Sequence, residues 1–133
     1  MIDILNLDWL AILIATIAAF LLGGLWYGPL FGNAWLAALG KSPDDLDPSP
    51  APFIISFFAA FLTCTVLAGL MAALGIGNVA GGALFGILTG IGFIATAMAS
   101  DAAFCGWGMK LFLIQAGYRV TCAVLMGAII GAF

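Results

Sequence analysis

The sequence predicts an all-α membrane protein: four transmembrane helices packed as a bundle of two antiparallel hairpins, with a short interfacial helix in the first connection. Three observations predict it. Hydrophobic residues make up 65% of the 133 and charged residues 7%, with a mean hydropathy of +1.28. A soluble domain carries about 25% charged residues, so these few charges could not clothe a core of this size in water. Four apolar runs are each long enough to cross a hydrocarbon core of about 30 Å at about 1.5 Å per residue. Short glycine-containing turns separate the last three runs. Residues 1–133 read as a single membrane domain.

The first span is predicted over 9–27. Asp8 can cap its start, and Gly28-Pro29 ends it. No cleavable leader is expected, because the first charged side chains are Asp3 and Asp8 where a leader would place Lys or Arg. Phe31, Trp35, Leu36 and Leu39 at helical spacing predict the interfacial helix over 31–39. Ser42-Pro43-Asp44-Asp45 is a helix-start signature, and Asp47-Pro48-Ser49-Pro50 reads as an extended linker. The second span is predicted over 51–74, with Pro50 and Pro52 at its entrance and Gly75 as its stop. The third, over 79–104, follows Asn78. The fourth covers 109–133 after Gly106-Trp107-Gly108. The turns at Gly75–Asn78 and Gly106–Gly108 imply two antiparallel hairpins, between spans two and three and between spans three and four.

Small residues recur every fourth position on all four spans. They include Ala15, Ala19 and Gly23 on the first, and Ala68 on the second. Gly82, Gly86 and Gly90 lie on the third, and Gly127 and Gly131 on the fourth. Residues four apart share a helix face. Lipid offers no hydrophobic force between helices, so close backbone approach over small residues must hold them together. The stripes therefore predict tight packing, within the chain or between copies.

Charge and residue type exclude much else. Net charge is −3 with no basic cluster, so nucleic acid is not an expected partner. The absence of His removes the commonest metal ligand and His-based triads. Cys64, Cys105 and Cys122 form no CxxC pair, so no metal site or cofactor is expected. With four spans, Lys41 and Lys110 share one membrane face, and Trp26, Tyr27, Trp35 and Trp107 form an aromatic belt there. The positive-inside rule puts that face in the cytoplasm and both termini outside, in the cell (inner) membrane.

Arg119 is the anomaly, about 15 Å into the fourth span. A charge there costs about 2.5–3.5 kcal/mol on insertion scales. Folding spans three and four symmetrically about Trp107 brings Asp101 level with Leu113, and the Arg119 side chain, leaning toward its own N-terminus, reaches back toward Gln115 and that end. Gln115 lies four residues before it, and Tyr118 beside it. These predict a buried polar ladder of Asp101, Gln115 and Arg119 with Tyr118 alongside, acting as a ligand site or as a clasp between helices.

The run Phe20-Leu21-Leu22-Gly23-Gly24-Leu25-Trp26-Tyr27-Gly28-Pro29-Leu30-Phe31-Gly32-Asn33-Ala34-Trp35 resembles the signature of domain-of-unknown-function family 1761. Lys110-Leu111-Phe112-Leu113-Ile114-Gln115-Ala116-Gly117-Tyr118 is similar to its second half. The resemblance implies a small, mostly bacterial membrane protein with about four spans, and implies no activity. In the family pattern His often stands at the position of Arg119 and Asn at that of Asp101. A joint change to an acid–base pair suits direct contact.

Two functions are expected. One is a non-catalytic accessory or structural subunit that self-associates or joins other subunits in a larger membrane complex. The other is a small transporter, channel or small-ligand binding protein using the Asp101-Gln115-Arg119 ladder. Membrane lipid is a partner in both. An enzyme is not expected, since no nucleophile–base pair stands out.

Overall fold

The computed structural model describes residues 2–46 and 48–133, and those residues fold as helices joined by short turns. The proposed linker's Asp47 lies outside the described residues. Helix α1 spans Trp9–Leu25. The Asp8 carboxylate accepts from the Ala11 amide at 3.1 Å, the expected cap. The chain then widens into a π-type turn over Trp26–Leu30, where Gly28 leaves helical geometry and Pro29 lacks a donor. Helix α2, Gly32–Leu39, lies within the stretch 31–39 expected to be helical. It begins at glycine for a steric reason: a Cβ on Gly32 would lie 2.7 Å from the Tyr27 carbonyl oxygen.

A single 3₁₀ turn, Pro43–Asp45, follows in place of a longer helix. The Ser42 amide and hydroxyl donate to Asp45 at 2.9 and 3.1 Å. These bonds hold the exposed Asp45 carboxyl below its ordinary range. Helix α3 covers Ala51–Leu74 and stops at Gly75 in the left-handed conformation (φ 74°). The Asn78 side chain accepts from the Gly81 amide at 2.6 Å and starts α4, Val79–Thr89. The third span is not one straight helix. A second π-type turn, Gly90–Ala95, links α4 to α5, Thr96–Cys105. Helix α6 is continuous over Met109–Ala132. The spans thus fall within a few residues of prediction.

Helix α6 is the centre of the bundle. It packs on α1, on α3 and most extensively on α4. The α4–α6 contact is made by backbone. A Cβ on Gly82 would overlap the Gly127 carbonyl oxygen, one on Gly86 that of Ala123, and one on Gly131 that of Asn78. Ala15 and Ala19 of α1, with Ala68 of α3, are buried in a core that also holds Ile12, Cys64, Leu67, Met71 and Met126. The small-residue stripes are therefore used inside the chain.

The outward faces carry Leu10, Leu13, Ile17, Phe53, Phe58 and Leu62, all exposed. In lipid such a surface meets a matching solvent. Thr16, Thr63, Thr65, Thr89, Thr96 and Thr121 each return a hydroxyl hydrogen bond to the carbonyl four residues back.

Both tight turns join successive spans as the two predicted hairpins, although α3 packs chiefly on α1 and barely touches α4. A tight turn fixes how two helices connect, not which faces they bury. The backbone match lies between α4 and α6, so α4 follows α6. A groove is left between α3 and α4, with α6 as its floor.

Candidate functional site

The groove is bordered by α3, the π-type turn after α4 and α6, with Phe20 of α1 at its edge. Ser56, Ala59, Ala60 and Thr63 put one face of α3, made of small side chains, toward it. Ile94, in the π-type turn, borders the opposite side, and α6 contributes Tyr118, Arg119 and Cys122. The space beside Arg119 holds about 60 Å³. That is far below the roughly 300–1,000 Å³ of a pocket for a drug-sized ligand, so only a small group fits there. A second, larger space of about 280 Å³ adjoins it and shares Thr63, Ile94 and Ala123. Its remaining walls, including Leu62, Val66, Leu70 and Phe93, are overwhelmingly apolar.

Arg119 is exposed in this groove. Its guanidinium carbon stands 5.3 Å from the centroid of the Tyr118 ring, within cation–π range. Tyr118 is itself fixed. Its hydroxyl donates to the Ala19 carbonyl at 3.1 Å, and Gly23 keeps that path clear, since a Cβ there would lie 2.7 Å from the hydroxyl oxygen. The ring meets Trp26 at 6.1 Å and Tyr27 at 5.2 Å. The Trp26 indole donates to the Ile114 carbonyl at 3.0 Å, tying the end of α1 to α6. Tyr27 meets Trp35 at 4.9 Å. Among the described residues, the Trp35 indole nitrogen is the buried side-chain polar atom without a hydrogen-bond partner.

Two predicted groupings are rearranged. The buried ladder does not form: Asp101 and Arg119 are both exposed, and among the described residues no ion pair joins them. The reason is register. Gly90 faces Val120, so Arg119 stands level with Gly90, and Asp101 lies about three helical turns further along. The chain needs seventeen residues from Gly90 to Trp107 but only thirteen from Trp107 to Val120. The π-type turn and the outward course of α5 absorb the excess, and α5 touches α6 only lightly. Gln115 is half-buried and is not part of the groove lining.

The aromatic belt also changes character. Trp26, Tyr27 and Trp35 gather with Tyr118 in a half-buried cluster that fastens α1 and α2 to α6, while Trp107 stands apart.

Ser56, Ala60, Thr63 and Ile94 were not singled out from sequence as site residues. Their signals are a stripe of small and hydroxyl residues on α3 and the Gly90-Ile91-Gly92 interruption of the third span. Chemically, the assembled groove offers one cation, an aromatic face, two hydroxyl-bearing residues and an adjoining apolar channel.

The chain matches, over residues 10–131, the family described as protein of unknown function, DUF1761, and belongs to that family. No match is found among curated proteins or among solved structures. Its four helices long and apolar enough to cross a membrane, Trp9–Leu30, Ala51–Leu74, Val79–Cys105 and Met109–Ala132, make it a multi-pass membrane protein.

Proposed function

We propose that this chain is a non-catalytic protein of the bacterial inner membrane that binds a small ligand from within the bilayer, in the groove between α3 and α4. One observation carries the reading: Arg119 lies near the middle of its span, faces the groove and, among the described residues, meets the Tyr118 ring but no carboxylate. Intramembrane ionisable side chains face a partner, a cavity or a pathway, because lipid alone leaves them unsolvated. The other support is the use of the small-residue stripes within the chain, which removes them as a reason for self-association.

The second reading is an accessory subunit of a larger membrane complex. The same lone Arg119 favours it, with another protein supplying the acid. A second copy of this chain is a poor source. Asp3, Asp8, Asp44 and Asp45 lie outside the spans, and Asp101 lies toward one end of its span.

Native mass spectrometry from lipid nanodiscs tests the choice. We expect a small-molecule adduct on the chain that is lost in Arg119→Gln. A stoichiometric protein partner with no adduct would replace the ligand reading by the subunit reading.

Lys41 and Lys110 support the orientation proposed for the groove, with their shared face in the cytoplasm and the termini outside. Single cysteines introduced at Ile2 and Ser42, in a background lacking native cysteines, check it. An impermeant thiol reagent added to intact cells should label position 2 and spare position 42. The reverse pattern would invert the orientation.

A further inference from the structure

We propose that the groove takes an amphiphile with a single carboxylate head and one unbranched apolar tail, drawn sideways from the surrounding bilayer. This rests on the reading of the groove as a ligand site and adds the class of ligand.

The head follows from Arg119. A lone guanidinium calls for a single anionic group, and its planar fork matches the two oxygens of a carboxylate. The neighbouring Tyr118 ring, 5.3 Å away, offers it an aromatic contact. The space beside it holds about 60 Å³, a size that suits a small head such as a carboxylate. Arg119 lies about 15 Å along α6 from Met109, so its ligand's head must leave the headgroup level to reach it, which favours a small head. No acid of the described chain stands at this level to occupy the guanidinium in the ligand's absence.

The tail follows from the adjoining space. It holds about 280 Å³, begins where Thr63, Ile94 and Ala123 border the head site, and continues beside α3 past Val66 to Leu70. Its walls are aliphatic apart from Thr63, Thr89 and the ring of Phe93, and both threonine hydroxyls already donate to their own helix. An apolar chain lying there loses no hydrogen bond. The direction is consistent too. Helices α3 and α6 run the same way through the bundle, so a tail moving from Thr63 to Leu70 leaves the Lys110 end behind. The amphiphile then keeps the orientation it had in the leaflet on the Lys41 and Lys110 side. Entry needs no wide opening, because α3 and α4 barely touch.

The test is ligand titration of the full chain in phosphatidylcholine nanodiscs, read by native mass spectrometry. The probes are straight-chain carboxylates of increasing length, the alcohols and amines of equal length, and benzoate as a compact anion. Carboxylates should bind about tenfold or more tightly than the alcohols, the difference expected of one charge-assisted hydrogen bond. Arg119→Gln should remove that advantage, and Arg119→Lys should keep part of it. Val66→Trp, placed on the tail wall, should shorten the longest carboxylate that binds and leave short ones unaffected.

Equal binding of alcohols and carboxylates, or unchanged carboxylate binding in Arg119→Gln, overturns the proposal. Arg119-dependent binding of benzoate with no dependence on tail length overturns the tail assignment while leaving the groove a ligand site. Displacement of the carboxylate by phosphatidylglycerol through Arg119 would assign the site to a lipid headgroup instead. If none of the anions binds, the ligand reading itself falls.

Discussion

Gly86→Leu is expected to break the bundle at its tightest contact. A Cβ at that position would overlap the Ala123 carbonyl oxygen and lie 2.6 Å from the Ala123 carbonyl carbon and 2.7 Å from the Val124 Cα. All three are backbone atoms, so no rotamer change relieves the clash, and α4 must move away from α6. Overpacking a filled core costs about 1–3 kcal/mol, occasionally more. Here the upper end or beyond is expected, because separation also weakens the neighbouring Gly82–Gly127 and Asn78–Gly131 approaches. Without a hydrophobic driving force between helices, lost dispersion contacts are not replaced by another term. Gly24→Leu is the matched control, since a Cβ at Gly24 meets nothing within 4 Å. Titration of both variants with a denaturing detergent, followed by circular dichroism, should show a clearly lower midpoint for Gly86→Leu alone. Equal midpoints would mean that the α4–α6 backbone contact does not hold the bundle together.

Arg119→Leu is expected to act in the opposite sense. Removing an unpartnered charge from mid-span should favour insertion of α6 by about 2.5–3.5 kcal/mol on insertion scales. The fold should survive, because the guanidinium joins no ion pair among the described residues. The aromatic cluster beneath it is held by the Tyr118–Ala19 and Trp26–Ile114 hydrogen bonds. Asp101→Asn should leave both insertion and unfolding unchanged. A clasp between Asp101 and Arg119 predicts a different result, with either substitution weakening assembly. An insertion assay on α6, paired with detergent unfolding of the whole chain, separates the two outcomes. Loss of folded protein in Arg119→Leu would restore a structural role for the charge.

The span limits were legible because their signals are local. Asp8, Gly75 and Asn78 act within a few residues of themselves, and a run of apolar residues states its own length. The small-residue stripes were legible too, since spacing by four maps directly onto a helix face. The identity of the partner faces was not. Gly82, Gly86 and Gly131 can each approach any smooth backbone, and only the assembled bundle shows that α4 and α6 meet each other through them. The ladder failed for a related reason. Pairing Asp101 with Arg119 by symmetry about Trp107 treats the two spans as equal straight rods. The π-type turn at Gly90–Ala95 makes them unequal, and a few extra residues in one arm carry Asp101 away from the charge it was meant to meet. Gly90-Ile91-Gly92 marks where the rod bends, but not by how much or toward which neighbour. The groove combines α3, the end of α4 with its π-type turn, and α6, and no one segment of sequence contains it.

The central place of α6 has a consequence for biogenesis. It is the last of the four spans to be synthesised, yet every other span packs on it. While the ribosome is still translating, α1 and α3 can pair, but α4 has no partner. The helix that carries the one mid-span charge therefore leaves the insertion machinery into a membrane where both walls of its groove already wait. A nascent chain arrested before Met109 would expose the glycine face of α4 to lipid, and membrane quality control would meet it as an orphan.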